Sequence, residues 1–359
     1  MREEKRGLKK QLSVLFLSAA VFLSAFGPSL PAQAGSREKE SMADCSPEEI
    51  GEKETGQVNL LTGRLRLEHT DLPGGEESPL EFVRYYQSSD SRYDKKGNLS
   101  GTGNFWTHNY FYYAEISSGN ITIYLPGGAR QRWYKAYLQD WKNVEASPCI
   151  LEEQEEGLLL TGPDGEKVLF DSGGLAVSIT WPDGRAAELS YEEGRLVKAA
   201  SEDGYLDFEY SEDCLGSVTD SAGNRILYSH DEDENLISAF VEDGWSLQYF
   251  YDDSVTDGER LVSVTNEEGR EIFSAEYELI SDMSVSYGQS VVYLETETQP
   301  ACTFSYEHYN GIHTCTYADG STLAVTFDQN TTQPEYYLWS WYDSQGAVMR
   351  RMQTSAQKY

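Results

Sequence analysis

Three groups of residues in the 359-residue chain have types and spacings that could do chemistry. Asp231, Asp233, Asn235 and Glu242 stand at positions 1, 3, 5 and 12 of a calcium-loop pattern, where hard oxygen ligands close around a cation. Position 6 needs glycine for the sharp turn and is Leu236. On a hairpin, the extended stretch from Asn235 to Glu242 spans about 20 Å, which keeps Glu242 off the ion. The group reads as an acidic turn. His308, His313 and Cys315 offer nitrogen and sulfur to a zinc ion. A hairpin turning at Asn310-Gly311 sets 308 opposite 313 and 306 opposite 315, so these three share one face with Phe304, Tyr306 and Tyr317. That face is apolar, and packed histidines with a buried thiol are expected there. Cys302 is six residues from His308, too far to be a fourth ligand.

His108 lies in the aromatic block 105–113 with no Ser or Cys nucleophile motif beside it, and reads as a structural histidine. Carboxylate pairs are unavoidable among 60 Asp+Glu, and no spacing singles out an acid/base pair of the glycosidase kind. There is no phosphate-cradling glycine loop. The expectation is a non-enzymatic protein with no catalytic, cofactor-binding or metal-binding residues and no cofactor.

The elements that hold these residues are β-strands. The 60 acidic residues face 28 Lys+Arg, a net charge of −32, yet the chain carries 7 Trp, 25 Tyr and 13 Phe. That aromatic content argues against acidic disorder. The charge argues against nucleic acid, which needs a basic footprint, and favours neutral or basic ligands.

Residues 1–34 read as a signal peptide cleaved after Ala34. Arg2, Lys5, Arg6, Lys9 and Lys10 form a basic n-region, Val14 to Phe26 is apolar, and small residues occupy the −3 and −1 positions. The apolar run is too short to span a bilayer. Removing the segment leaves 23 basic against 58 acidic residues, a net charge of −35, in a secreted or cell-surface protein with no further span. Residues 35–55 are charged and aperiodic, a flexible linker. Cys45, Cys149, Cys214, Cys302 and Cys315 are odd in number and widely spaced, which suits buried thiols, with at most one bridge, rather than a disulfide framework.

A repeat decides the fold class. Glycines 165, 184, 204, 223, 244 and 269 are 19, 20, 19, 21 and 25 residues apart. Each interval holds a short alternating run, such as Leu206-Asp207-Phe208-Glu209-Tyr210, then an aromatic–acidic turn: Phe170-Asp171, Tyr191-Glu192, His230-Asp231 or Tyr251-Asp252. A Leu, a second apolar run and a polar–Gly turn complete it. Period-2 alternation with Gly and Asp at the joints makes each interval one β-hairpin. Hairpins paired edge to edge give an all-β antiparallel strip, with aromatics on one face and carboxylates on the other, that must curl to bury its apolar face. The expected organisation is an N-terminal β module over 56–150, regular repeats over 151–270, and degenerate hairpins with a tail over 271–359.

The repeat resembles the YD repeat of the Rhs family. Val58-Asn59-Leu60-Leu61-Thr62-Gly63, His69-Thr70-Asp71-Leu72-Pro73-Gly74, Leu80 to Tyr86 and Trp106-Thr107-His108-Asn109-Tyr110 are similar to that family's N-terminal module. The resemblance covers about 56–270 well and the remainder loosely. It implies a spiral shell around a toxic C-terminal segment in full-length relatives. This chain has no Asp-Pro cleavage motif, and residues 335–359 read as a last hairpin and a tail. With few repeats, the strip is expected to form an incompletely closed shell. The implied function is an exported structural or interaction scaffold. Two alternatives are the shell fragment of a polymorphic toxin system, partnered by a toxin polypeptide, and a cell-surface adhesin for neutral carbohydrate.

Overall fold

The computed structural model describes residues 57–75, 80–88, 100–136, 139–144, 147–241, 244–252, 260–281, 286–296, 301–307, 310–327 and 336–355. The segments expected to be a signal peptide (1–34) and a linker (35–55), with Cys45, Glu242, His308 and residues 356–359, lie outside the described residues.

The chain is all-β. A four-stranded antiparallel sheet comes first: β1 (Val58–Asn59), β2 (Arg64–Leu72), β3 (Phe82–Gln87) and β4 (Trp106–His108). A second follows: β5 (Tyr113–Ser117), β6 (Asn120–Tyr124), β7 (Arg130–Tyr134) and β8 (Lys142–Asn143). From β9 (Ile150–Gln154) to β27 (Val348–Ser355) runs one 19-stranded sheet, each strand antiparallel to its neighbours in sequence. It crosses residue 270 without a break: β20 (Arg260–Asn266) pairs with β21 (Glu271–Ser281). Among the described residues β9 pairs with β10 (Gly157–Thr161), β27 pairs with β26 (Tyr336–Tyr342), and no ladder joins β9 to β27. Among the described residues the strip is therefore open.

Alternation sets its two faces. In β15 (Tyr205–Ser211), Leu206 and Phe208 are buried while Tyr205 and Glu209 are exposed. Each side chain of this size stabilises by about 1.5–3 kcal/mol when fully buried. No isolated hairpin could keep that gain, because its apolar face would stay wet.

The aromatic residue of each repeat sits at a β-bulge. Phe170 pairs with Ala176, Tyr191 with Leu196, Tyr210 with Leu215, His230 with Leu236, Tyr251 with Leu261 and Tyr277 with Val291, and at each the register slips by one residue. A bulge leaves one residue unpaired and bends the strand, so bulges recurring in successive hairpins curl the strip. Tyrosine then links successive hairpins. The Tyr210 hydroxyl donates to the carbonyl of Leu196 (3.1 Å), Tyr251 to Leu236 (2.8 Å), Tyr277 to Leu261 (3.0 Å) and Tyr306 to Val291 (2.9 Å). Each acceptor lies opposite the aromatic of the preceding hairpin. Burial pushes the hydroxyls of Tyr210, Tyr251, Tyr277 and Tyr306 well up, which keeps them protonated donors.

Carboxylates at the turns cap backbone amides. Asp231 Oδ1 accepts from the amides of Asp233 (3.0 Å) and Asn235 (2.8 Å), and Oδ2 accepts from Asn235 Nδ2 (3.0 Å). Asp171, Asp220 and Asp343 cap their turns in the same way. Where the equivalent turns carry Gly174, Gly223 or Gly346 at positive φ, the Asp231 turn carries Glu234 at φ +64°. A side chain there costs about 1 kcal/mol. Glu234→Gly is therefore expected to raise the denaturant midpoint, the gain being that cost less glycine's extra chain entropy.

One predicted register is corrected. In the hairpin of β23 (Cys302–Glu307) and β24 (Ile312–Tyr317), Tyr306 faces His313 and Phe304 faces Cys315, not 308 facing 313. The strands stop at Glu307 and Ile312, so the connection is longer than a two-residue turn. The shift is two residues, an even number, and the expected faces survive it.

Candidate functional site

The face of the strip that its bulges bend inward is covered by the chain's own N-terminal sheet. The bulges prepare that contact. In β16 (Cys214–Asp220), β20 and β22 (Ser286–Thr296), the ladder to the following hairpin stops at Ser217, Ser263 and Tyr293. The amides of Leu215, Leu261 and Val291, two residues away, are turned off the ladder and would be costly to bury unpaired. The N-terminal residues supply an acceptor to each. Leu215 donates to the Gly101 carbonyl (2.7 Å), Leu261 to the Tyr86 hydroxyl (3.0 Å) and Val291 to the Gly63 carbonyl (2.9 Å). Tyr86→Phe removes one acceptor while keeping the ring, and is expected to cost about 1–3 kcal/mol in chemical denaturation.

Local sequence explains how the acceptors are presented. The Asn59 side chain caps its turn, accepting from the amides of Leu61 (3.0 Å) and Thr62 (3.1 Å). The turn ends at Gly63, φ +71°, where a Cβ would lie 2.4 Å from Ser290 Oγ. At the other end of the contact Ala114 donates to the Gly174 carbonyl (2.8 Å), and a Cβ on Gly174 would meet the Ala114 oxygen at 1.9 Å.

An ion pair is sealed in the middle of this contact. Arg84 and Asp71 side chains are both 0% exposed. Arg84 Nε donates to Asp71 Oδ2, and Nη2 donates to Asp71 Oδ1 (2.9 Å) and to the Tyr249 hydroxyl (2.9 Å). The Tyr228 hydroxyl donates to Asp71 Oδ2, and His69 Nδ1 lies 2.8 Å from Asp71 Oδ1. The guanidinium carbon also sits 4.9 Å from the Trp106 ring centre. Burial pushes the Asp71 carboxyl up, but Arg84 and His69 outweigh it and the net shift is downward. Burial opposes the Arg84 charge too; Asp71, Tyr249 and Tyr228 overcome it and hold the cation.

His108 completes the contact. Its ring lies 5.4 Å from Phe82 and 5.7 Å from Phe208, and Nδ1 accepts from the Tyr110 amide (3.2 Å), placing the ring proton on Nε2. Burial pushes its pKa down to about 3.

The other residues singled out by spacing fall into packing roles. Asp231 and Asn235 are engaged with their own turn. His313 is buried, its Nδ1 2.8 Å from the Leu60 carbonyl, between the Tyr306 and Phe327 rings. Cys149, Cys302 and Cys315 are buried and Cys214 is half-buried. A hydrogen bond with the Cys302 thiol and burial push Cys315 far up. No group of three or more His, Cys, Asp or Glu among the described residues is arranged to hold a metal ion. A cavity of about 350 Å³ beside β20 and β21 is lined by Asp252, Arg260, Ser263, Glu271, Glu276 and Tyr277.

Sequence reasoning missed the Asp71–Arg84 pair. Its local signal was an arginine inside the run Phe82-Val83-Arg84-Tyr85-Tyr86, where every residue but Tyr85 proves buried.

Fold and site together define an open hairpin-repeat strip wrapped against its own N-terminal sheet. A family described as a domain of unknown function, DUF6531, matches residues 55–133. No curated protein matches the chain. Similar solved structures include a porin-like protein from Bacteroides uniformis, at 11% identity and TM-score 0.28 over 57% of this chain and 91% of that one. The TcdB2-TccC3-TEV structure has 12% identity and TM-score 0.28 over 81% of this chain, and TcdB2-TccC3 has 12% and 0.26 over 68%. This chain spans 19% and 15% of the length of those two. Among the described residues no helix is long and apolar enough to cross a membrane.

Proposed function

We propose that this chain is an exported, non-enzymatic scaffold of the Rhs, YD-repeat type, acting as a structural or interaction module. The observation that supports this reading is the occupied inner face. The bulge amides of Leu215, Leu261 and Val291, with Tyr228, Tyr249 and Phe208, are engaged by residues 57–114, so the side chains with unusual environments serve packing. A face filled by the chain's own residues favours a solid scaffold over a container for a separate toxin polypeptide.

Two measurements test the reading. N-terminal sequencing of the exported protein is expected to begin at Gly35, and recovery of intact residues 1–34 on the exported protein would contradict it. Incubated with neutral and acidic polysaccharides, the protein is expected to release no reducing ends above a heat-denatured control. Release that follows the folded protein through purification would overturn the non-enzymatic reading.

A further inference from the structure

Among the described residues the outer strands of the strip are β9 and β27, and they are opposites. On β27, Arg350 and Arg351 are adjacent and exposed, and neither has an ion-pair partner among the described residues. On β9, Glu152 is exposed and likewise unpaired, while Glu153 is held by Lys135 Nζ (2.7 Å). Among the described residues the two most exposed large apolar side chains are Met349 (65%) and Ile150 (58%), one on each of these strands. Met349 is the extra residue of the last bulge, between the pairs Trp341–Arg350 and Tyr342–Val348.

We propose that copies of this chain associate head to tail, the β27 edge of one copy pairing with the β9 edge of the next. The geometry fixes the sense of that union. Nineteen antiparallel strands in sequence order leave β9 and β27 running in the same direction. A copy that continues the strip with its buried face on the same side therefore sets its β9 parallel to β27. Antiparallel union on that face requires β27 against β27 or β9 against β9, which brings arginines or glutamates together and is disfavoured.

Face matching then selects the register. Arg350 and Met352 lie opposite Trp341 and Trp339, on the buried face; Leu151 and Glu153 lie opposite Leu160 and Leu158, also on the buried face. Parallel pairing with Arg351 opposite Glu152 leaves Arg350 one diagonal step from Glu153 and brings the bulge residue Met349 alongside Ile150. The contact is heterologous, so it propagates into open chains or closes into rings. It uses only the open strip and does not depend on the scaffold role proposed above.

Sedimentation velocity of the purified protein tests this. At about 0.05 M salt, oligomers are expected to grow with protein concentration, and at about 0.5 M salt association is expected to weaken at least tenfold. Arg351→Glu and Glu152→Arg should each weaken self-association by about tenfold or more, with unchanged circular dichroism. An equimolar mixture of the two variants should associate again, because the exchanged charges of one variant meet those of the other with opposite sign. A protein that stays monomeric to about 100 μM at low salt, within the affinity range of weak interfaces, overturns the proposal. So does a mixture that associates no better than either variant alone.

Discussion

Arg84→Met is expected to cost about 3–5 kcal/mol of folding free energy, because it leaves the Asp71 carboxylate buried without its cation. Asp71→Asn should cost a similar amount from the other side, stranding a guanidinium among Trp106, Tyr228 and Tyr249. The magnitude follows from burial. Both side chains are fully enclosed, so no water replaces the lost partner. The pair itself need not be strongly stabilising, since desolvating two charges offsets most of their attraction. A double-mutant cycle separates the two effects. The variant Arg84→Met with Asp71→Leu is expected to lose far less than the sum of the single changes. Single losses that simply add, or that stay within about 0.5 kcal/mol as exposed pairs do, would show that the cluster is not sealed. The readout is the denaturant midpoint at constant slope.

Acid is expected to loosen the same contact well before carboxylates titrate. His108 has a pKa near 3 in the folded protein, because burial disfavours its charged form, against about 6.5 in an unfolded chain. Between those values the unfolded state binds a proton that the folded state does not. Stability therefore falls as pH drops below about 6.5, by about 1.4 kcal/mol per pH unit for this one group. His230, whose pKa is also lowered by burial, adds in the same direction. Asp71 contributes only lower down: its depressed pKa gives stability that is lost as pH falls through the folded value. His108→Asn keeps an acceptor near Nδ1 without a titrating ring. Thermal melts from pH 7.5 to 4.5 should show a steep loss in the parent protein and a visibly shallower one in the variant. Parallel slopes in the two proteins would place the acid sensitivity elsewhere.

The strip was legible in the sequence because its determinants are local. Leu206, Phe208 and Tyr210 alternate with Asp207 and Glu209 within five residues, and turn glycines recur at hairpin spacing. Face assignments were robust for the same reason. At 302–317 the partner residues were misplaced by two, yet Phe304, Tyr306, His313 and Cys315 still fell on one side. Asp231 read correctly as a turn residue, since an Asx cap is satisfied within four residues.

What binds the strip to the N-terminal sheet was not legible. Asp71 and Tyr228 are 157 residues apart, and Arg84 and Tyr249 are 165 apart. Among 60 acidic residues nothing local marks Asp71 as the buried one. The off-ladder amides of Leu215, Leu261 and Val291 are invisible for another reason. Bulge position follows from paired register, and register is a property of two strands rather than one.

The central claim is that the N-terminal sheet completes the strip by accepting from its off-ladder amides. Amide hydrogen exchange at Leu215, Leu261 and Val291 tests it most directly. If Gly101, Tyr86 and Gly63 accept from them, all three are expected to exchange as slowly as ladder amides in the same strands, such as Val218 and Val264, and to open only with global unfolding. Exchange at the rate of exposed turn amides, with the flanking ladder still protected, would mean the strip stands without its N-terminal sheet and would contradict the account.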